Sequence, residues 1–252
     1  YDRNQLAEKL FAKIAFLLVT QNYIQYVLDK IEYINPINTH PSRVYLKQDL
    51  KSISIINNLD DVIEYLSRND DETNGISKIF LRVLKAMGIA DGVEIIQDER
   101  LPVRELRVRV KDLESNIKDV GYGVSLQLPI ILKAVIADAL GSVESKILMI
   151  EQPEVHLHPK LHAQLVGALA ILSKHTLYFI ETHSEHIIRK LQVIVKEKFN
   201  HFKSSDITIH YLIRVEKHTE VTTHKISDNG QLVPNLPGGF FDNSLTLAKQ
   251  LL

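Results

Sequence analysis

The sequence has no cysteine in its 252 residues, which excludes disulfides and zinc sites built on thiolates and fits the reducing cytosol. It has no apolar run approaching the roughly 20 residues that cross a bilayer. Its opening, Tyr1-Asp-Arg-Asn, offers neither an initiator Met nor a signal peptide. A soluble cytoplasmic protein without membrane contact is expected, its beginning lying ahead of Tyr1. Neither sign of charge is in excess: the net value is -1, which removes any general electrostatic case for nucleic acid while leaving room for local patches. Internal repeats and low-complexity tracts are missing too. What is present is ordinary globular material, 45% hydrophobic and 24% charged, enough for the core of one large domain or two small ones.

The most informative stretch is 146–183. Two short apolar runs, Ile147–Ile150 and Thr176–Ile180, each end abruptly in polar residues and are separated by a helix-like segment, Lys160–Lys174. This is the spacing of a βαβ unit with a right-handed crossover, its strands buried on both faces and its chemistry at their carboxyl ends. The polar residues leaving those ends are Glu151, Gln152, Glu154, Glu181, Thr182 and His183. They are the candidate site.

Around this unit the pattern predicts a mixed α/β chain. Leu6, Leu10, Ile14 and Leu18, with Phe11 and Leu17 beside them, give the stripe of an amphipathic helix from Asn4 to about Lys30, packed on a sheet. Ile31–Ile37 reads as a short strand before a turn at Asn38-Thr-His-Pro-Ser42, and Arg43 beyond it as a solvated side chain. Two helices are expected between Asn58 and Ala90. The first is opened by Asp60 and Asp61; the second runs from Ile76 to Met87 and stops at Gly88. Gly92–Gln97 and Glu105–Val110 are strand-like, with Arg107 and Arg109 on a solvated face. Ser184 suits the N-cap of a helix bearing Ile187, Ile188, Leu191 and Ile194. Ile207–Ile213 and Val221–Ile226 read as a strand pair, and a last helix is expected at Leu245–Leu252.

Asp119-Val-Gly-Tyr-Gly-Val-Ser-Leu-Gln-Leu-Pro129 precedes an apolar helix, Ile130–Leu140. Two glycines beside a hydroxyl, opening directly into a helix, let backbone N–H groups approach an anion, although a plain tight turn would use the same residues.

Taken together, Gly121-Tyr-Gly-Val-Ser125, the run into Glu151-Gln-Pro-Glu154, His156-Leu-His-Pro159 and the run into Thr182-His183 resemble the carboxyl half of an ABC-type ATPase head. More closely, the chain resembles bacterial ABC-like AAA ATPases related to the SMC and overcoming-lysogenization-defect (OLD) groups. Ile34-Asn-Pro-Ile37 with Tyr33, and Pro237-Gly-Gly-Phe-Phe-Asp242, look like flanking segments of one such family. The resemblance implies an α/β fold, a partial ABC-type P-loop head with a central, mostly parallel sheet flanked by helices. It implies ATP and Mg2+ as cofactors and a second head as partner.

Residue by residue, the resemblance makes Gly121, Gly123 and Ser125 the signature loop, which reaches across a dimer to the γ-phosphate of a nucleotide held by the partner. Glu151 stands where a Walker B Asp holds Mg2+, and Gln152 where the catalytic Glu sits. His156 to Pro159 match the D-loop, placing Glu154 and His158 near the nucleotide, and His183 matches the switch histidine. A carboxylate suits the hard Mg2+ ion, which takes oxygen ligands. A His near the γ-phosphate can donate a hydrogen bond to charge that develops in transfer. Gln152 can orient a water but cannot accept its proton, so slow hydrolysis, or a base supplied by Glu154 or Glu181, follows.

None of the ten glycines begins a G-x-x-x-x-G-K-S/T loop, so the phosphate cradle is expected ahead of Tyr1 or on another chain. The implied organisation is 1–118 as helical and β segments of the head, 119–200 as its signature, Walker B, D-loop and switch core, and 201–252 as a strand pair and tail. The implied function is a nucleotide-driven dimerisation switch in a DNA-related or antiviral system, with DNA and an effector nuclease or toxin chain as further partners. Two readings from other classes stand beside it. One is a degenerate scaffold head without turnover, which Gln152 makes credible. The other is a metal-dependent hydrolase on His156, His158 and His162 with Glu154 as fourth ligand.

Overall fold

The computed structural model describes residues 3–34, 40–47, 56–68, 75–98, 100–141 and 145–237. Its elements are α1 (Arg3–Leu28), β1 (Ile31–Ile34), β2 (Tyr45–Leu46), α2 (Leu59–Arg68), α3 (Gly75–Ala86), β3 (Gly92–Gln97), β4 (Val103–Val110), β5 (Leu113–Asn116) and α4 (Tyr122–Leu140). There follow β6 (Lys146–Glu151), α5 (Pro159–Ile171), β7 (Thr176–Glu181), α6 (Glu185–Lys196), β8 (Thr208–Val215), β9 (His218–Ile226) and β10 (Leu232–Val233).

The protein is α/β. A parallel sheet of order β1-β6-β7 aligns Ile31–Ile34 with Ile147–Ile150 and Lys146–Glu151 with Thr176–Glu181. Parallel neighbours need a long crossover, and α5 provides it. One face of this sheet buries Ile34, Leu148 and Ile150, with Tyr178 and Ile180 against the same core. Helix α4 packs on that face because its side chains from Leu126 to Ala137 are buried all round. By length and composition α4 is also apolar enough to cross a membrane, a feature the run-length reading passes over. With 78% of the relevant window buried inside the fold, it is a core helix here.

The other face departs from the expectation of strands covered on both sides. Met149, Leu177 and Phe179 are 38%, 55% and 55% exposed, and Tyr33 is 41% exposed. Among the described residues no strand pairs with the outer edge of β7. Helix α1 forms as expected, but the side chains described along it are not covered by a sheet: Phe16, Leu17 and Val19 are 70%, 64% and 67% exposed. Its apolar residues 16–19 run consecutively around the helix, so no single stripe can be turned to a partner. Helix α4 begins at Tyr122, not Ile130, and carries Pro129 inside it. A proline ordinarily marks a helix boundary; here apolar burial on both sides of Pro129 holds the helix through it.

A second, antiparallel sheet has the order β2-β4-β3, with β5 also on β4. Alternation along β4 turns Leu106 and Val108 inward. Arg104 shares their phase and is buried, paired with the buried Glu64, whose other oxygen takes Arg68 Nε at 2.7 Å. Arg107 lies at the rim, bonded to Glu105 at 3.2 Å and Glu114 at 3.0 Å rather than simply solvated. Strands β8, β9 and β10 form an antiparallel unit, packed against α6 through Ile188, Val195, Ile226 and Leu232. Residues 35–39, 69–74 and 238–252 lie outside the described residues. With them go most of the two flanking segments and the expected Leu245–Leu252 helix.

Two measurements test this packing. Arg104→Met leaves Glu64 buried without its main partner and is expected to destabilise the fold by about 3–5 kcal/mol in urea denaturation; a loss below about 1 kcal/mol would show the pair to be neutral. The Tyr178 hydroxyl donates to Leu172 O at 2.7 Å, and burial, with the Asp138 charge next, raises its pKa well above the ordinary 10.0. The folded value lies above the unfolded one, so this contribution is full below about pH 10 and lost as pH rises beyond it. Tyr178→Phe is expected to flatten that alkaline limb of the stability curve.

Candidate functional site

The site begins where the parallel strands end. Glu151 and Glu181 are cross-strand neighbours at the carboxyl ends of β6 and β7. Tyr33 in β1 stands opposite Met149, one pleat back on the same face. The nearby Glu151 carboxylate, as an acceptor for the phenol, followed by burial and the charges of Glu151 and Glu181, raises the Tyr33 pKa. After Glu151 the chain turns sharply. Gln152 has a φ of 41° and donates its N–H to Glu181 O at 2.9 Å, and His156 has a φ of 63°. Positive φ at residues other than glycine is uncommon and costs energy; here the surrounding contacts hold it.

Those contacts centre on Glu154, a carboxylate only 8% exposed. Its Oε1 accepts the Thr182 hydroxyl and the His183 N–H, both at 2.7 Å. Its Oε2 is buried with no protein partner. Thr182 Oγ1 accepts the Ser184 N–H at 3.0 Å, and Ser184 Oγ caps α6 by accepting the Ile187 N–H at 3.3 Å. The same hydroxyl lies 2.8 Å from His162 Nδ1, while His162 Nε2 lies 3.1 Å from Leu157 O. Because a carbonyl only accepts, Nε2 carries the proton of that contact. Gln127 of α4, fully buried, donates to Pro153 O at 2.9 Å.

The structure thus gathers Glu151, Gln152, Glu154, Glu181, Thr182 and His183 into one patch, with the His183 side chain exposed. Gly121, Gly123 and Ser125 form a second patch at the start of α4. Gly121 is the exposed N-cap residue. A Cβ on Gly123 would stand 2.4 Å from His156 O, so the glycine is required by the close approach of two backbones. Ser125 is fully buried and donates to Tyr122 O at 2.7 Å, which directs its hydroxyl into the helix and away from a partner's phosphate. The surface members of this turn are Gly121 and Tyr122.

The histidine metal centre is corrected. His156 packs its ring on Tyr122, His158 Nδ1 accepts the Lys160 N–H as N-cap of α5, and His162 is engaged by Ser184 and Leu157. Among the described residues no group of three or more His, Asp or Glu side chains is placed to hold a metal. Sequence reasoning missed the roles of Tyr33, Gln127 and His162. Tyr33 alone carried a signal, as an aromatic residue at the alternating position of a strand bound for the same sheet.

The family model described as AAA ATPase domain matches residues 9–188, well over half of the chain, and the chain belongs to that family. A second model, described as a protein of unknown function (DUF3696), matches residues 203–251. No curated protein matches the chain. Among solved structures, one described under ATP-driven dimerization and DNA-stimulated activation of SMC ATPases is similar with a TM-score of 0.45 and 9% identity, over 74% of this chain and 94% of its own. A Pyrococcus furiosus Smc head domain with an extended coiled coil, bound to the C-terminal domain of ScpA, gives 0.45 and 8% over 77% of this chain and 40% of its own. The SMC head domain from Thermotoga maritima gives 0.40 and 12% over 64% and 51%. The chain therefore spans about half or less of these last two proteins.

Glu154→Ala removes the shared acceptor for Thr182 and His183 and leaves two donors unpaired, a cost of roughly 1–3 kcal/mol. Amide exchange at His183 is expected to quicken by about tenfold or more. An unchanged rate would show that Glu154 does not hold this loop.

Proposed function

We propose that the chain is part of an ATP-binding and ATP-hydrolysing head that works as a nucleotide-driven dimerisation switch. The observation that carries this reading is the junction at Glu154. One buried carboxylate ties the loop bearing Glu151 and Gln152 to the loop bearing Thr182 and His183. Membership of the AAA ATPase family adds ATP, and with it Mg2+, as the ligands this junction serves. The donor set fits a hard cation: two carboxylates, Glu151 and Glu181, side by side, their charge already felt by the Tyr33 phenol. Glu151 would hold the ion and Tyr33 would fix the carboxylate's orientation. When bound, the ion neutralises charge on the phosphates.

Within this reading Gln152 orients a water through its side-chain amide and leaves the proton to another acceptor. His183, anchored through its backbone N–H, keeps its ring for the charge that develops in transfer. Gly121 and Tyr122 offer the signature-like turn to a second head, and the buried Ser125 supports them from inside the helix. The sheet face of Tyr33, Met149, Leu177 and Phe179 is exposed and, among the described residues, no strand lies on the outer edge of β7, which leaves a surface for the segment that carries the phosphate loop. The head core and the carboxyl-terminal strand unit divide near residue 200, between the two matched stretches. By resemblance to OLD-like systems, the proposal extends to a cytoplasmic setting in antiviral or DNA-related work, with DNA and an effector nuclease or toxin as partners.

A scaffold head without turnover is the second reading, and Gln152 in place of a carboxylate favours it. ATP hydrolysis by the complete chain separates the two. Under the switch reading Glu151→Gln lowers kcat by about 100-fold or more, and Gln152→Glu raises it by about 10- to 100-fold. Absence of both ATP binding and turnover in the wild type would leave the scaffold.

A further inference from the structure

We propose that the cleft between residues 40–43 and 116–122 receives the base of a nucleoside triphosphate whose phosphates are held by an opposing copy of the chain; this rests on the two-head reading above. The cleft has a volume of about 380 Å³ and is lined by His40, Pro41, Lys118, Val120 and Tyr122, within the range of small-ligand sites. Its two walls are stapled together. Arg43 forms a bidentate pair with Asp119 at 3.0 and 2.7 Å, and Asn116 Nδ2 donates to Arg43 O at 2.9 Å. Arg43, expected to be a solvated side chain, is thus a structural clamp. The cleft is therefore formed before any ligand arrives.

Its recognition chemistry is aromatic and cationic. The Tyr122 ring lies 4.8 Å from the His40 ring at 29°, stacked, and 4.9 Å from the His156 ring at 57°. This ladder makes His40, itself exposed, the end ring of a column that lines the cleft. A planar base extends the column by stacking on His40. The charge is supplied by Lys118. Arg43 and Asp119 neutralise each other, and among the described residues no carboxylate pairs with the Lys118 ammonium. Asp60 lines a separate cavity of about 180 Å³ that shares only His40 with this cleft. A flat aromatic group carrying phosphate matches this lining. The cleft adjoins Gly121, the exposed member of the turn offered to a second head, so a nucleotide bound by that head arrives base and phosphates together.

The test uses the complete chain and two readouts: ATP-dependent self-association by light scattering, and photolabelling with 8-azido-ATP mapped by mass spectrometry. His40→Ala, at an exposed position that leaves folding intact, is expected to raise the ATP concentration for half-maximal association by about 5- to 100-fold, and Tyr122→Leu likewise. His40→Phe retains stacking and restores the wild-type value, and the label falls on peptides containing His40 or Tyr122. If wild type associates with ATP but His40→Ala does so equally well and these peptides stay unlabelled, the cleft assignment is overturned while the two-head reading stands. If wild type does not associate with ATP at all, the two-head reading fails, and this inference fails with it. Labelling displaced by a single-stranded oligonucleotide but not by ATP gives the cleft to nucleic acid and overturns the nucleotide assignment.

Discussion

A single carboxylate oxygen, Glu154 Oε1, accepts from both Thr182 and His183, and the shape of the whole strand-end region depends on that double bond. A polar group buried this far is costly unless it is hydrogen-bonded, so the two loops and the Glu154 side chain stabilise one another. The bonds continue outward from there, through Thr182 to Ser184, from Ser184 to the start of α6, and through His162 back to Leu157. The starts of α5 and α6 and the turns after β6 and β7 consequently behave as one cooperative unit. The left-handed backbone of Gln152 and His156 is retained within it.

Helix α4 carries this unit to the rest of the molecule. At its beginning Gly123 lets the backbone of His156 approach, and Gln127 holds Pro153. Further along, Lys133 is buried, with Nζ 3.3 Å from Tyr33 O, 3.4 Å from Asn57 Oδ1 and 3.7 Å from Glu32. Burial lowers its pKa, opposed by Glu32. One helix thus touches the strand bearing Tyr33, the segment leading into α2, and the loop bearing Glu154. A shift at the start of α4 is felt at both ends of the site, because packed interiors transmit displacement instead of absorbing it.

Much of this was legible in the sequence wherever local pattern and burial agree. The strands β6 and β7 are apolar runs cut off by polar residues, and such runs are what parallel strands require. The stop of α3 was legible because Gly88 takes a φ of 66°, which a glycine announces. The start of α4 was not, since Pro129 reads as a boundary and only tertiary burial overrides it. Arg104 was hidden because the expected strand began one residue after it, at Glu105, and an arginine in the inward phase does not read as core. β2 and β5 are too short to show a period at all. The approach of Tyr33 to Glu151 brings together residues far apart in sequence, and no local pattern encodes a partner at that range. The exposed apolar surface of α1 was misread because a stripe was picked out of a helix whose apolar residues 16–19 continue around it.

The outer edge of β7, on which no strand lies among the described residues, governs how the protein must be handled. An unpaired strand flanked by exposed Leu177 and Phe179 is a template for the same strand of another molecule. Samples of this 252-residue chain will stick to one another through that edge without any nucleotide, and their apparent size will rise with concentration. Such adhesion is chemically unrelated to a switch. It is set by the exposed side chains of one strand, and a charged residue placed at Leu177 or Phe179 would abolish it without touching the strand ends.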